Sequence, residues 1–271
     1  MCIRDRVNIA EKNLTRKINL DFNIKIKPNS ISAILLPYLR GLLIRVSKKY
    51  DVNNKWVFDI RNSESINEII NHKNVNSLIR KGVATPDHVI RTKSIPLFLN
   101  DAKLIEKNSI NEEVISKWIK DAESSLYTYI KDYEDYFLRN NNNVVQKKKQ
   151  LDPIPRIILI PNIGLIGVGI DKKSSQIAAD IGQAWIETLL SAESTGSFMP
   201  VNEKDTFDLE YWSLEQAKLG KKLDPKFKGH IVAITGAGGA IGSQIAKEFS
   251  DFGAEIVSID LDSNAAKLTA T

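Results

Sequence analysis

The segment HIVAITGAGGAIGSQIAKEFSDFGAEIVSID, residues 230–260, restricts the possible fold of this chain more than any other stretch. IVAI, directly before Thr235, is a short apolar run typical of a buried strand, and EIVSID supplies a second one. Between them, apolar residues at helical spacing run from Ile241 to Phe249, and Gly253 follows as a helix stop. Strand, glycine turn, helix and strand in this order predict a βαβ unit with parallel strands.

The glycine turn TGAGGAIG is suited to a dinucleotide cofactor. Gly236 permits the tight turn, and the small residues at 238–240 let the backbone approach a pyrophosphate group. Gly242 allows the helix to pack closely on the strand, and backbone N–H groups at the helix start face the phosphate charge. We therefore predict the first βαβ unit of a Rossmann, or doubly wound, domain. Its predicted cofactor-binding residues are Gly236, Gly238, Gly239, Ile241, Gly242 and Asp260.

Asp260, at the end of the second strand, decides which cofactor is expected. A carboxylate at this position binds the ribose hydroxyls of adenosine, and its charge repels an added 2′-phosphate. NAD is therefore favoured over NADP. A triphosphate-binding loop is excluded, because Gly242 is followed by Ser243 and Gln244 with no lysine. A glycine-rich turn without a ligand is the alternative interpretation.

The chain before residue 218 predicts a mostly helical α/β fold. Its apolar spacing and turn residues set the order of the elements. They are a helix after Pro28 capped by Ser30 or Ser32, a strand in WVFDIR from Trp56, a helix capped by Asn62 or Ser63, a long helix from Asn111 to about Asn140, an apolar strand in RIILIP from Arg156, and a helix from about Lys173 to Ala192.

Composition and charge exclude several classes of protein. The 38 basic and 33 acidic residues leave a net charge of +5 without an arginine stripe, so no nucleic-acid surface is expected. The most apolar stretch, SAILLPYLRGLLI from Ser32, contains Pro37 and Arg40 and is shorter than the roughly 20 residues of a membrane span. Cys2 is the single cysteine, so no intrachain disulfide forms. With no secretory signal visible, we expect a cytoplasmic location.

The glycine turn resembles two groups of short-chain dehydrogenases. The classical group has Thr-Gly, three residues, Gly, any residue, Gly, and this chain departs from that pattern at Ala240. Thr235, Gly236, Gly239 and Gly242 equally match Thr-Gly-x-x-Gly-x-x-Gly. This second pattern resembles the extended enzymes that act on nucleotide sugars. The turn alone leaves both groups open.

Three upstream segments resemble the bifunctional aldolase/short-chain dehydrogenase proteins. They are RKGVATPDHVIRTKSIPLFL from Arg80, RIILIPNIGLIGVG from Arg156 and FDLEYWSLEQAKLGK from Phe207. In that family a class II aldolase-like module precedes a classical dehydrogenase domain, and its members act in the breakdown of deoxysugars such as rhamnose. The resemblance implies an NAD-dependent enzyme that oxidises a small-molecule hydroxy-aldehyde or sugar derivative. We expect the intact protein to be a homo-oligomer.

The resemblance also implies a division of the chain. Residues 1–6, MCIRDR, look like a non-native leader. Residues 7–150 would be the C-terminal part of the aldolase-like module, 151–217 its strand-helix extension, 218–228 a basic linker, and 229–271 a truncated Rossmann NAD-binding domain. On this interpretation the chain is a fragment cut at both ends, and the cofactor corner is what remains of the dehydrogenase.

The zinc site of the aldolase half is not expected in this chain. The family's site needs three histidines, two of them spaced His-x-His, and His72, His88 and His230 are too far apart in sequence. We expect zinc only in a missing N-terminal part of the parent. His88, in TPDHVIRTK, is instead a candidate for substrate or phosphate binding beside Arg91 and Lys93, with a hydrogen-bonded turn histidine as the alternative.

RIILIPNIGLIGVG and the helix after it follow the layout of the final strands and helix of a class II aldolase. In that layout the sequence Asn-His-Gly supplies a zinc ligand. Here Asn162-Ile163-Gly164 occupies the same place, and isoleucine cannot bind zinc. The likeness implies a second, metal-free copy of the aldolase fold that is kept for packing.

The catalytic residues of the dehydrogenase half are not expected either. Its chemistry needs a tyrosine, a lysine four residues on and a nearby serine, which in this family lie beyond the glycine turn. Tyr127 and Lys131 have that spacing but stand in the long upstream helix, in the wrong order, so we assign no catalytic residue. A non-catalytic scaffold with decayed sites is the alternative, and the coding sequence after Thr271 would separate the two.

We predict that the purified 271-residue chain shows neither aldol cleavage nor NAD reduction, because it lacks both the zinc histidines and the tyrosine–lysine pair. The measurements are a coupled assay with a sugar phosphate and a direct assay of NADH absorbance. Turnover in either assay would contradict the fragment interpretation.

Overall fold

The protein has an α/β fold, and its described residues form two sheets. A computed structural model describes residues 29–52, 54–85, 88–100, 112–213 and 225–270. Its helices are α1 (Asn29–Ser47), α2 (Glu64–Ile70), α3 (Val75–Ile79), α4 (Val89–Thr92), α5 (Glu112–Asn141), α6 (Lys172–Thr195), α7 (Glu203–Glu210), α8 (Ala240–Asp251) and α9 (Ser263–Ala270), with a short 3-10 turn at Lys48–Tyr50. Its strands are β1 (Val57–Arg61), β2 (Leu97–Phe98), β3 (Ile157–Ile160), β4 (Gly164–Gly169), β5 (Ile231–Thr235) and β6 (Glu255–Ile259).

The larger sheet is mixed and has the strand order β1-β4-β3-β2. β3 and β4 form an antiparallel hairpin, β1 pairs antiparallel with β4, and the two-residue β2 pairs parallel with β3. Strands from both predicted segments, 7–150 and 151–217, therefore belong to one sheet. The predicted leader at 1–6 and most of the predicted linker at 218–228 lie outside the described residues.

Every residue of β3 and β4 is buried, because helices cover both faces of this sheet. Ile158 and Ile166 point to one face, where they pack with the apolar stripes of α1 and α5. Ile157 and Leu165 point to the other face, against α2, α3 and α6. Strands that are buried on both faces have continuous apolar sequences, which explains the composition of RIILIP and GLIGVG.

Helix α6 lies directly on β4, and Gly167 and Gly169 make this close approach possible. A Cβ atom built on Gly167 would lie 2.2 Å from the Ser175 carbonyl oxygen and 2.6 Å from the Ala179 amide nitrogen. Asp171 caps the helix through a capping box with Ser174, so its start is held at the same place. The glycines of β4 are therefore packing residues.

Several predicted elements are confirmed, and one predicted cap is wrong. Ser63 is the N-cap residue of α2, since its hydroxyl accepts a hydrogen bond from the Ile66 amide. The strand after Trp56, the strand after Arg156 and the long helix after Asn111 are all present. Helix α1 already includes Ser30 and Ser32, so neither residue can be its cap.

The second sheet holds the predicted βαβ unit. β5 and β6 are parallel neighbours in register from Ile231–Glu255 to Thr235–Ile259, with α8 between them in the chain. Arg40 of α1 links the segments that precede β1 and β5, because its guanidinium donates to the carbonyl oxygens of Trp56 and Gly229 at 2.6 and 2.8 Å. Among the described residues, no helix is long and apolar enough to cross a membrane.

We predict that Gly167→Ala lowers the free energy of unfolding by about 1 to 3 kcal/mol, because the new methyl group forces α6 away from β4. Gly41→Ala is the matched control: a Cβ atom at Gly41, inside α1, meets no heavy atom within 4 Å. That change should stabilise the protein by roughly 0.5 to 1 kcal/mol. Urea unfolding followed by tryptophan fluorescence measures both, and equal midpoints for the two variants would contradict the close packing.

Candidate cofactor site

The glycine turn joins β5 to α8 with the geometry of a tight backbone loop. Gly236 has a φ of +68°, a conformation that residues with a side chain rarely adopt. Its carbonyl oxygen accepts a hydrogen bond from the Gly239 amide at 3.1 Å. Gly239 is the extended N-cap residue of α8, so the first backbone N–H groups of this helix lie at the edge of the loop.

Close packing around the turn explains why Gly238 and Gly242 have no side chain. A Cβ atom on Gly242 would lie 2.1 Å from the Gly236 carbonyl oxygen, which holds α8 against the turn. A Cβ atom on Gly238 would lie 2.5 Å from the Ala265 side chain. At Gly239 the nearest atom is at 3.4 Å, an ordinary contact. Ile241, by contrast, is 78% exposed in the first turn of α8.

Asp260 follows β6 and reaches the glycine turn. Its Oδ2 atom accepts a hydrogen bond from the Gly238 amide at 2.8 Å, and its Oδ1 atom accepts one from the Asp262 amide at 3.0 Å. The backbone hydrogen bonds from Asp262 and Gly238 lower the pKa of the Asp260 carboxyl below its usual value. The carboxylate that the sequence assigns to the ribose is thus bonded directly to the backbone of the turn.

The arrangement provides two features that a nucleotide needs in one crevice. The start of α8 carries N–H groups without partners inside the helix and the positive end of the helix dipole. The carboxylate of Asp260 stays charged and can still accept hydroxyl hydrogens, because a carboxylate has about four acceptor positions. Predicted residues Gly236, Gly238, Gly242 and Asp260 thus meet at one edge of the small sheet.

A second polar cluster, which the sequence patterns did not reveal as a cluster, lies in the first sheet's domain. The carboxylate of Glu210 is fully buried and accepts hydrogen bonds from the hydroxyls of Tyr133 and Tyr136 at 2.8 and 3.0 Å. The Lys93 ammonium donates to the Tyr133 hydroxyl at 2.9 Å and lies 3.4 Å from Glu210. Tyr211 shares a 2.8 Å hydrogen bond with Tyr133. We call these five residues the tyrosine cluster.

Two of the quoted sequence segments meet in the tyrosine cluster. Lys93 comes from the segment that begins at Arg80, and Glu210 comes from the segment that begins at Phe207. Lys93 has a φ of +64° and a ψ of +170°, an unfavourable conformation for a residue with a side chain. Burial lowers the pKa of its ammonium group, and the Glu210 charge opposes this shift. Both segments contain other charged residues, so no local signal in the sequence singled out Lys93 and Glu210.

The remaining candidate residues lie apart from the glycine turn. His88 is half-buried before the short helix α4, and its predicted partner Lys93 has its ammonium paired with Glu210. The hydroxyl of Tyr127 accepts a hydrogen bond from Lys49, and Lys131 is exposed. Ile163 is buried in the core. In the part of the chain that the structure describes, no group of three His, Cys, Asp or Glu residues is placed to hold a metal ion.

Comparison with known proteins gives two matches. A sequence profile described as "Aldolase class II, second domain" matches residues 30–219. The chain is also 28% identical over 247 residues to the uncharacterized oxidoreductase YuxG of Bacillus subtilis (strain 168). That match covers 90% of this chain, which spans only 33% of the length of the curated relative. No solved structure matches the chain. The glycine turn lies beyond the region that the aldolase profile matches.

We predict that the free energy of unfolding falls as the pH rises above about 10, the ordinary pKa of tyrosine. Burial and then the Glu210 charge raise the pKa values of Tyr133 and Tyr136. The folded state therefore keeps protons that the unfolded state loses, and each such tyrosine costs about 1.4 kcal/mol per pH unit in this range.

The measurement is urea unfolding at a series of alkaline pH values, with tyrosinate absorbance recorded in parallel. Tyr136→Phe should reduce the slope, while Tyr38→Phe, which removes a tyrosine that is 49% exposed, is the matched control. An unchanged slope in the Tyr136 variant would show that the cluster does not resist ionisation.

Proposed function

The chain belongs to the family of class II aldolase second domains, and from this premise we propose that it joins such a domain to the adenosine-binding corner of an NAD-dependent oxidoreductase. The oxidoreductase name of the YuxG relative supports this proposal. The observation that carries the proposal is the hydrogen bond that the Asp260 carboxylate accepts from the Gly238 amide, close to the start of α8. There the pyrophosphate would face the N–H groups of α8, and Asp260 would accept hydrogen bonds from the adenosine ribose.

NAD rather than NADP is the cofactor that these contacts favour. Asp260 holds its negative charge, because two backbone amides donate to it and lower its pKa. A 2′-phosphate on the adenosine ribose would bring a second negative charge to the same place. The repulsion between the two charges would weaken NADP relative to NAD.

Exposed apolar side chains on the small sheet indicate that the unit acts within a larger domain. Val257 and Ile259 of β6 are 45% and 47% exposed, although parallel strands are ordinarily covered on both faces. We infer that further strands and helices cover this surface in the complete oxidoreductase. The substrate that we propose is a small hydroxy-aldehyde or sugar derivative from deoxysugar breakdown, as in the bifunctional proteins that the upstream segments resemble.

The aldolase-family domain would serve this enzyme as a folded support rather than as a zinc site. Ile163 lies in the core at the place where the likeness to class II aldolases expects a zinc-binding histidine. The matching family is described as a second domain of class II aldolases. Its role would then be to carry the cofactor domain, which Arg40 reaches through the Gly229 carbonyl.

We predict that Asp260→Ala weakens the binding of NAD by about ten- to a hundredfold and reduces the preference over NADP. The variant loses the ribose hydrogen bonds and the charge repulsion together. Gly242→Val should be more damaging, because its side chain would collide with the Gly236 carbonyl and displace α8. Titration calorimetry with NAD and NADP, on the 271-residue chain and on a longer parent, measures both effects.

Asp251→Ala is the matched control for Asp260→Ala. Asp251 is an exposed aspartate at the opposite end of α8, so its removal changes the net charge equally without touching the turn. Equal effects of the two aspartate variants would refute the ribose assignment. Unchanged affinities for NAD and NADP in the Asp260 variant would show that Asp260 has no role in cofactor binding.

A further inference from the structure

A cavity of about 320 Å³ opens beside the tyrosine cluster, far from the glycine turn in sequence. One face of α5 forms its main wall through Tyr129, Asp132, Tyr133, Tyr136 and Arg139. The turn after α3 and the start of α7 form the other walls. The volume lies at the small end of the range for ligand pockets. Its polar lining distinguishes it from the dry, apolar voids that occur in protein cores.

The charges around the cavity balance. Arg80, Lys81 and Arg139 contribute three positive charges, and Asp132, Asp135 and Glu203 contribute three negative ones. Arg80 pairs with Asp132, and Arg139 pairs with Glu203. An added phosphate would have to compete with carboxylates for the guanidinium groups. The lining therefore disfavours an anion as ligand.

Paired cations and carboxylates suit a ligand with several hydroxyl groups. A hydroxyl can accept a hydrogen bond from a guanidinium and donate one to a carboxylate at the same time. It can thus join an ion pair such as Arg139–Glu203 without adding charge. The aromatic rings of Tyr129 and Tyr136 supply the less polar surface that the carbon skeleton of such a ligand needs.

The back wall of the cavity is rigid before any ligand arrives. Tyr133 and Tyr136 line the cavity, and hydrogen bonds to the two oxygens of Glu210 hold both rings. Lys93 supports the same carboxylate from a strained backbone conformation. A wall held in one position reduces the ordering cost of binding.

From the cavity, its balanced charges and its rigid wall, we infer that the aldolase-family domain contains a binding site for a small neutral polyol. This site is separate from the proposed cofactor site and does not depend on it. Asp132 and Arg139 bind hydroxyl groups of the polyol, and Tyr133 and Tyr136 of the tyrosine cluster form the back wall of the site.

The test is a titration of the 271-residue chain with ribitol, D-ribose and D-ribose 5-phosphate, followed by amide chemical shifts in NMR. Saturable shifts of residues around the cavity are expected with ribitol and D-ribose, and binding of the phosphate ester should be at least about threefold weaker. No saturable response to either neutral compound would overturn the proposal. Tighter binding of D-ribose 5-phosphate would also overturn it, since the charge argument would then be wrong.

Two variants locate the site. Arg139→Gln and Asp132→Asn should each weaken ribitol about three- to tenfold, which is the effect of losing one hydrogen bond. Arg45→Gln is the matched control, because Arg45 is also an exposed arginine paired with a glutamate, Glu123, but does not line the cavity. Equal weakening by both arginine changes, or weakening by neither, would refute the assignment.

Folding and the cofactor site are checked separately. Arg139 and Glu203 have more than half of their side-chain surface exposed, so removal of the pair should leave the thermal unfolding temperature unchanged without ligand. Asp260→Ala should leave ribitol binding unchanged. Loss of the ribitol response in that variant would place the site at the glycine turn and overturn this proposal, while the cofactor proposal is tested by NAD alone.

Discussion

The burial of the β3–β4 hairpin on both faces is the constraint on which the larger domain depends. Because side chains alternate along a strand, Ile157 and Ile158 enter different cores, and each core requires its own layer of helices. Gly167 then allows α6 to lie against β4 at backbone distance. A shift of β4 by one residue in register would exchange its two faces, and Gly167 and Gly169 would then point away from α6. The same apolar residues therefore set strand register, helix placement and layer order.

The tyrosine cluster solves a problem that this packing creates. α7 packs on α5 and carries Glu210 into an apolar region, where an isolated carboxylate would be very costly. Tyr133 and Tyr136 satisfy its oxygens with hydroxyl donors, and Lys93 adds the opposite charge. Truncating one member would remove hydrogen bonds from buried groups of the others, so the cluster holds α5, α7 and the Lys93 turn as one unit. That unit is also one wall of the polar cavity.

Local signals in the sequence were sufficient for several of the longer elements, and insufficient for β2 and for the polar contacts between elements. Ser63, as a hydroxyl residue before a helix, and the apolar run after Arg156 each have a local physical cause, so their structures could be predicted. β2 is two residues long and exists only because β3 lies beside it. The contact between Lys93 and Glu210 spans 117 positions, and no periodicity reports a pairing at that distance.

In the candidate cofactor site, too, the sequence predicts the backbone better than it predicts the side-chain contacts. The spacing of small residues predicts where the backbone turns, because Gly236 and Gly242 are required by a φ angle and by a close approach. It does not predict how far Asp260 extends, since a side-chain rotamer depends on all neighbouring donors. A carboxylate that holds the Gly238 amide keeps further lone pairs, so it can remain bonded to the turn while it accepts ribose hydroxyls. Under the proposed function, Asp260 would both hold the glycine turn in place and bind the ribose hydroxyls.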